Sequence, residues 1–305
     1  MKAKWYYLFF VILFGIGTAC TPTIDSVAST SSPETPLEQK SSEPVQTNQT
    51  AATELPALAA DPQVITFTAS DGQTLTGTYY PASVNPAPVI VLMHWMGGSE
   101  HDWGAVAVWL QNRGVDSGIT DPAQPWQDGS WFPLVPEGFS IGVFTFSFRG
   151  CENGYECNMT DRPGWLLDAQ AAVQTAAGLE GADPTRIVTA GASIGADGAP
   201  DGCYLANEVT PGTCQGSFSL SPGGYLTVAY NSAVQKLQSP ADGNAIPAWC
   251  LADPSEYYVC ESAKGETYRP IEIPNGRHGM MMISPGLDPQ ALELLIEFIE
   301  LTVLP

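Results

Sequence analysis

Gly191-Ala192-Ser193-Ile194-Gly195 constrains this chain more than any other stretch, because of what flanks it. The apolar run Arg186-Ile187-Val188-Thr189-Ala190 reads as a strand, and the small residues after the pentapeptide can open a helix. Glycines two residues before and two after a serine remove side chains that would clash in a sharp strand-to-helix turn. Such a turn leaves the hydroxyl exposed as a candidate nucleophile. Taken alone, the pattern is more often a plain Gly/Ser turn.

A serine hydroxyl is a poor nucleophile and needs a base, an orienting acid and donors for an oxyanion. Three other segments supply candidates. Val89-Ile90-Val91-Leu92-Met93 is continuously apolar, as expected for a buried parallel strand, and runs into His94-Trp95-Met96-Gly97-Gly98. Pro247-Ala248-Trp249-Cys250-Leu251-Ala252 is a second short buried run, with Asp253 and Glu256 just beyond it. Tyr268 to Ile273 is a third, followed by Arg277-His278-Gly279. The chain has only three histidines, so a base must come from few places. His278 is the last of them. His94, at a strand end, reads as a structural residue bonding its own loop, and His101 as an exposed loop residue.

The order serine, acid, histidine is that of the α/β-hydrolases, and from about Val64 onward the chain resembles their dienelactone-hydrolase-like or small-esterase branch. The resemblance is carried by LMHWMGGSEHDW (92 to 103), FSFRG (146 to 150), GASIGADGA (191 to 199), LSPGG (220 to 224), ESA (261 to 263) and RHGM (277 to 280), in that order. It implies an α/β-hydrolase fold with a mostly parallel central sheet, helices on both faces and no large cap domain. It also implies a serine hydrolase of carboxylic esters, small or polymeric, working through an acyl-enzyme without cofactor or metal. Carried over by position, Ser193 is the nucleophile, His278 the base, and the amides of Ile194 and Met96 the oxyanion donors. Trp95 stands where the family's loop has glycine. An ungapped alignment from Pro247 to Glu261-Ser262-Ala263 puts Glu256 at the acid's place, with Asp253 the alternative. A peptidase or amidase of the same fold, and a non-catalytic surface-anchored binding lipoprotein, are the competing readings.

The chain start points to export. Met1 to Lys4 is basic, Trp5 to Ile16 is apolar but short for a bilayer span, and Gly17-Thr18-Ala19-Cys20 resembles a bacterial lipobox. This divides the chain into a signal peptide over 1–19, a Ser/Thr/Pro-rich tether over 20–61 and a hydrolase domain over 62–305, lipid-anchored through Cys20 to the outer face of a bacterial cell membrane, or else secreted. The tether has too few large apolar residues to offset the entropy of ordering it. The six remaining cysteines fall into close pairs, Cys151 with Cys157, Cys203 with Cys214 and Cys250 with Cys260. Local disulfides suit an exported protein, although six cysteines permit fifteen connectivities. The second bridge is expected beyond the nucleophile helix and the third around Asp253 and Glu256. A formal charge of -21, about -23 without Lys2 and Lys4, repels phosphate backbones and argues against nucleic acid as a partner. It leaves the lipid anchor as the membrane contact.

Alternation on either side of Asp71-Gly72 predicts a β-hairpin at 64–68 and 74–80. Further strands are expected at 89–93, 141–147, 186–190, 216–220, 247–252 and 268–273, with helices between. In the last helix Asp288 is the expected cap and Pro289 suits the first turn, while Leu292, Leu295, Ile296 and Ile299 form one stripe. Pro200 is expected to distort or end the first turns of the nucleophile helix. The long connection between Arg113 and Ile141 carries Trp126, Trp131 and Phe132, either as a pocket wall or as loop packing.

Overall fold

Asp71-Gly72 closes the first hairpin with Gly72 at φ +90°, pairing β1 (Gln63–Thr68) antiparallel to β2 (Thr74–Tyr80) in the computed structural model of the protein. The structure describes residues 55–304 apart from 116, 117, 119, 120, 122, 153–156 and 242. The expected signal peptide, Cys20 and nearly all of the expected tether lie outside those residues. Residues upstream of position 62 also contact the domain. Leu55 N–H donates to Asn85, Gln111 donates to the Ala60 carbonyl and Arg113 to the Leu58 carbonyl. Leu58 also packs on the core, so one apolar side chain and a few carbonyl contacts extend the folded unit upstream.

Eight strands form one sheet in the order β1-β2-β4-β3-β5-β6-β7-β8. β2 also runs antiparallel to β4 (Gly142–Phe146), and from there β3 (Ala87–Met93), β5 (Ala182–Ala192), β6 (Cys214–Leu220), β7 (Ala248–Ala252) and β8 (Tyr268–Glu272) are parallel. The expected strands are all present. Every residue of β3, β4 and β7 is buried, and Thr145 is the one polar side chain among them.

Alternation along β6 sorts the helices onto two faces. Phe218 meets Phe298 of α6 (Ala291–Thr302), whereas Ser219 Oγ bonds Ala196 of α3 (Ile194–Val209). Helices α2 (Arg162–Ala177) and α4 (Tyr230–Gln238) pack beside α3, while α1 (Gly104–Gln111) lies against β4. The short α5 (Tyr257–Ser262) follows β7. Two local expectations fail. The N-cap position of helix α6 is Gln290 rather than Asp288, and its side chain makes no capping bond. Its buried stripe dictates where it meets the sheet, and Asp288 and Pro289 fall in the bend before it. Helix α3 also continues through Pro200. The proline removes the N–H that would have bonded the Ala196 carbonyl, and Ser219 Oγ donates to that carbonyl at 2.7 Å instead.

Candidate active site

Ser193 sits between β5 and α3 with φ 53° and ψ -113°, a conformation that L-residues rarely hold. Two close backbone approaches enforce it. A Cβ on Gly191 would lie 2.1 Å from the Gly195 carbonyl oxygen, and one on Gly195 would lie 2.2 Å from that of Met93. The Gly195 N–H donates to the His94 carbonyl at 3.1 Å, tying the turn to the loop after β3. The Ile194 N–H, first in its helix, meets no acceptor among the described residues.

Ser193 Oγ lies 2.8 Å from His278 Nε2, and His278 Nδ1 lies 2.9 and 3.0 Å from the two oxygens of Glu256. A carboxylate facing Nδ1 and a hydroxyl facing Nε2 match the tautomer in which Nδ1 donates and Nε2 accepts. His278 follows β8 in a tight loop with Arg277 and Gly279 both at φ 60°. The Gly279 N–H donates to Ser221 Oγ at 3.0 Å. Glu256 stands directly before α5, its N–H on the Asp253 carbonyl at 2.8 Å. The Asp253 carboxylate is occupied elsewhere. It accepts from Ser255 N–H and Oγ at 3.0 and 2.7 Å, bonds that hold its pKa below the usual carboxylate range. The structure therefore brings Glu256 to His278 and uses Asp253 to shape the turn that delivers it.

The loop after β3 is held by His94. Burial lowers the pKa of its ring to about 4, so it is neutral, bonding the Trp95 carbonyl through Nδ1 at 2.6 Å and accepting from Phe148 N–H on Nε2 at 3.0 Å. The Trp95 carbonyl also accepts from Gly98 N–H at 3.3 Å. Because the peptide is trans, the Met96 N–H points the opposite way.

All three cysteine pairs are bonded as local disulfides. Cys203 lies within α3 rather than beyond it, so its bridge to Cys214 ties the nucleophile helix to the first residue of β6. The bridge between Cys250 and Cys260 joins β7 to α5 around the Glu256 turn. The bridge between Cys151 and Cys157 also serves the site, since Cys157 N–H donates to the Met96 carbonyl at 3.3 Å.

Several residues around the site were not read from the sequence: Ser221 behind Gly279, Asp197 under the loop at 223–225, and Asp102 behind Trp95. All stand inside or beside the quoted motifs. Their partners, however, come from distant loops. A cavity of about 540 Å³ lined by Tyr204, Lys236 and Pro247 lies where β6 and β7 begin, at the opposite end of the sheet from Ser193. Among the described residues, no cluster of three or more His, Cys, Asp or Glu side chains is set to hold a metal ion, and no helix is long and apolar enough to cross a membrane.

The sheet order, the parallel run of strands and the serine turn after β5 define an α/β-hydrolase fold. Solved structures similar to this chain share it. The thermophilic carboxylesterase EstE1, cloned from a metagenomic library, is 17% identical over 82% of this chain and 92% of its own, with TM-score 0.56. The Pyrococcus furiosus esterase Pf2001 is 16% identical over 80% and 93%, and the hyperthermophilic esterase of Pyrobaculum calidifontis 17% over 80% and 84%, each with TM-score 0.51. No protein-family model and no curated protein sequence matches the chain.

Proposed function

We propose that the protein is a serine hydrolase of carboxylic esters, with Ser193 as nucleophile, His278 as general base and acid, and Glu256 as the carboxylate that orients the imidazole. The observation that carries this reading is the continuous contact from Ser193 Oγ to His278 and on to Glu256, at 2.8 and 2.9 Å, beside an Ile194 amide with no acceptor among the described residues. In the reaction Ser193 Oγ bonds to the ester carbonyl carbon as its proton passes to His278 Nε2. The Ile194 and Met96 amides hold the oxyanion. The C–O bond to the alcohol then breaks, the alkoxide takes the proton from His278, and water activated by the same nitrogen releases the acid and restores the serine. The esterase neighbours support the ester over the amide as the bond cleaved.

The test is hydrolysis of a chain-length series of chromogenic acyl esters by the full chain and by its Ser193→Ala variant. The variant is expected to lose on the order of 10⁴- to 10⁶-fold in kcat. Equal rates in both proteins would overturn the assignment, and turnover of amides alone would move it to a peptidase or amidase.

The same reading includes export with a lipid on Cys20. Three disulfides support an oxidising compartment. Mass spectrometry of the membrane-extracted protein is expected to find an acylated cysteine at the mature N-terminus; an unmodified terminus downstream of Cys20 would refute it.

A further inference from the structure

Two aromatic side chains border the Ser193 and His278 pair, and each is held there by a buried carboxylate that has no part in the reaction. Trp95 is the first. A Cβ on Gly279 would lie 3.1 Å from Trp95 Cε3 and 3.5 Å from Ser193 Cβ, so one backbone position separates the indole from the nucleophile. Trp95 Nε1 donates to Asp102 at 2.9 Å, and Asp102 also accepts from Ser99 N–H, Trp126 Nε1 and Gln127 at 3.2, 3.3 and 3.3 Å. A Cβ on Gly98 would fall 1.6 Å from the Asp102 carboxylate, so glycine there is what lets the indole reach it. Trp126, from the long connection after α1, stands edge-on to Trp95 at 5.4 Å.

Tyr225 is the second. Its ring stands perpendicular to that of His278 at 6.1 Å and lies over Gly223. The loop that carries it is gripped from both sides. Asp197, buried in the first turn of α3, accepts from the N–H groups of Gly223, Gly224 and Tyr225 at 3.2, 3.0 and 2.8 Å. Arg162 donates to the carbonyls of Gly224, Tyr225 and Leu226. Burial raises both carboxyls, Asp197 to about 6, so holding these loops works against desolvation.

The rings so fixed are not sealed into the core. Tyr225 is 36% exposed and Trp95 half-buried. Aromatic side chains with one face open and little rotamer freedom are suited to gripping a ligand at low entropic cost. We propose that Trp95 and Tyr225 determine specificity, selecting esters that carry an aromatic ring next to the scissile group over saturated-ring esters of the same size. This rests on the ester-hydrolase reading above.

The test compares kcat/KM for methyl phenylacetate with methyl cyclohexylacetate, and for benzyl acetate with cyclohexylmethyl acetate, in the full chain and in Tyr225→Leu, Tyr225→Phe and Trp95→Leu. The aromatic member of at least one pair is expected to be preferred by roughly three- to tenfold, the scale of ring–ring attraction beyond area burial. Tyr225→Leu should bring that ratio toward one and Tyr225→Phe should keep it, a difference that a purely structural role would not produce. Ratios of one in both pairs, or a ratio unchanged by Tyr225→Leu and Trp95→Leu, would overturn the inference while leaving the hydrolase reading intact. If no ester is turned over, the hydrolase reading fails by itself. Saturation-transfer NMR on Ser193→Ala with methyl phenylacetate and methyl cyclohexylacetate in competition then decides, and equal binding overturns the inference.

Discussion

Two charged clusters lie beyond the carboxyl ends of the sheet's strands, and they are built to opposite ends. Around Arg149, just after β4, the guanidinium contacts Asp168 of α2 at 2.7 Å, Asp71 of the first hairpin at 2.6 Å and Asp161, which caps α2, at 3.5 Å. Asp168 is fully buried, and burial raises its pKa while the guanidinium pulls it back. Burial opposes the charge on Arg149, yet Asp71 and Asp168 hold it on firmly. Ser193, His278 and Glu256 form an equally linked chain, but the His278 and Glu256 side chains are 35% and 31% exposed and an amide beside them is unspent. One cluster joins a hairpin, a strand end and a helix and leaves nothing over. The other leaves the Ile194 N–H without an acceptor among the described residues, which on our reading is kept for a ligand. Saturation marks structure; an ordered surplus marks a site.

Substitutions should separate the two. Glu256→Gln is expected to lower kcat by on the order of 10²- to 10⁴-fold, the scale seen when the orienting carboxylate of such a triad is neutralised, with little change in melting temperature. Asp253→Asn should cost less than about tenfold, and a reversal of these two results in steady-state kinetics would exchange their roles. Arg149→Ala should do the converse. Leaving Asp168 buried and unpaired is expected to cost about 3–5 kcal/mol in urea unfolding, while kcat per folded molecule changes little. A matching loss of kcat would mean the clusters are coupled.

Replacing Cys250 and Cys260 together by alanine probes the border between them, because that bridge is structural but holds the Glu256 turn. A stability loss of about 2–4 kcal/mol with a kcat loss is expected. Loss of stability alone would show that the turn holds its geometry without the bridge.

The last test concerns a buried carboxyl of neither kind. Asp201, one turn after Asp197 in α3, has both oxygens unpartnered, and burial with the nearby Asp197 charge raises its pKa to about 8 from 3.8. Between those values the folded protein keeps a proton that the unfolded chain releases, so stability falls as pH rises from about 4 to about 8 and levels off above. Asp197, raised to about 6, adds to the lower half of that range. Asp201→Asn is expected to remove up to about 1.4 kcal/mol per pH unit of this slope, measured as melting temperature against pH. An unchanged slope would mean that Asp201 is ionised in the folded protein.

Much of this molecule was legible in its sequence. Strand positions followed from runs and alternation, the first hairpin from Asp71-Gly72, and the serine turn from glycines that prove to meet backbone at about 2 Å. These are short-range signals, since a side-chain period or a steric exclusion is set by residues a few positions apart. What needed the tertiary structure were choices between neighbours. Asp253 and Glu256 lie three residues apart on one loop; alignment already favoured Glu256, but the contact itself depends on the direction in which that loop meets His278. Pro200 reads as a helix breaker until Ser219, from the adjacent strand, takes up the orphaned carbonyl. Trp95 reads as a departure until Asp102 and Trp126 are found behind it. The sequence by itself determined which elements form and in what order, because those depend on local sterics and periodicity. Only the tertiary structure decided which polar group meets which, because a hydrogen bond depends on tenths of an ångström between segments the chain brings together last.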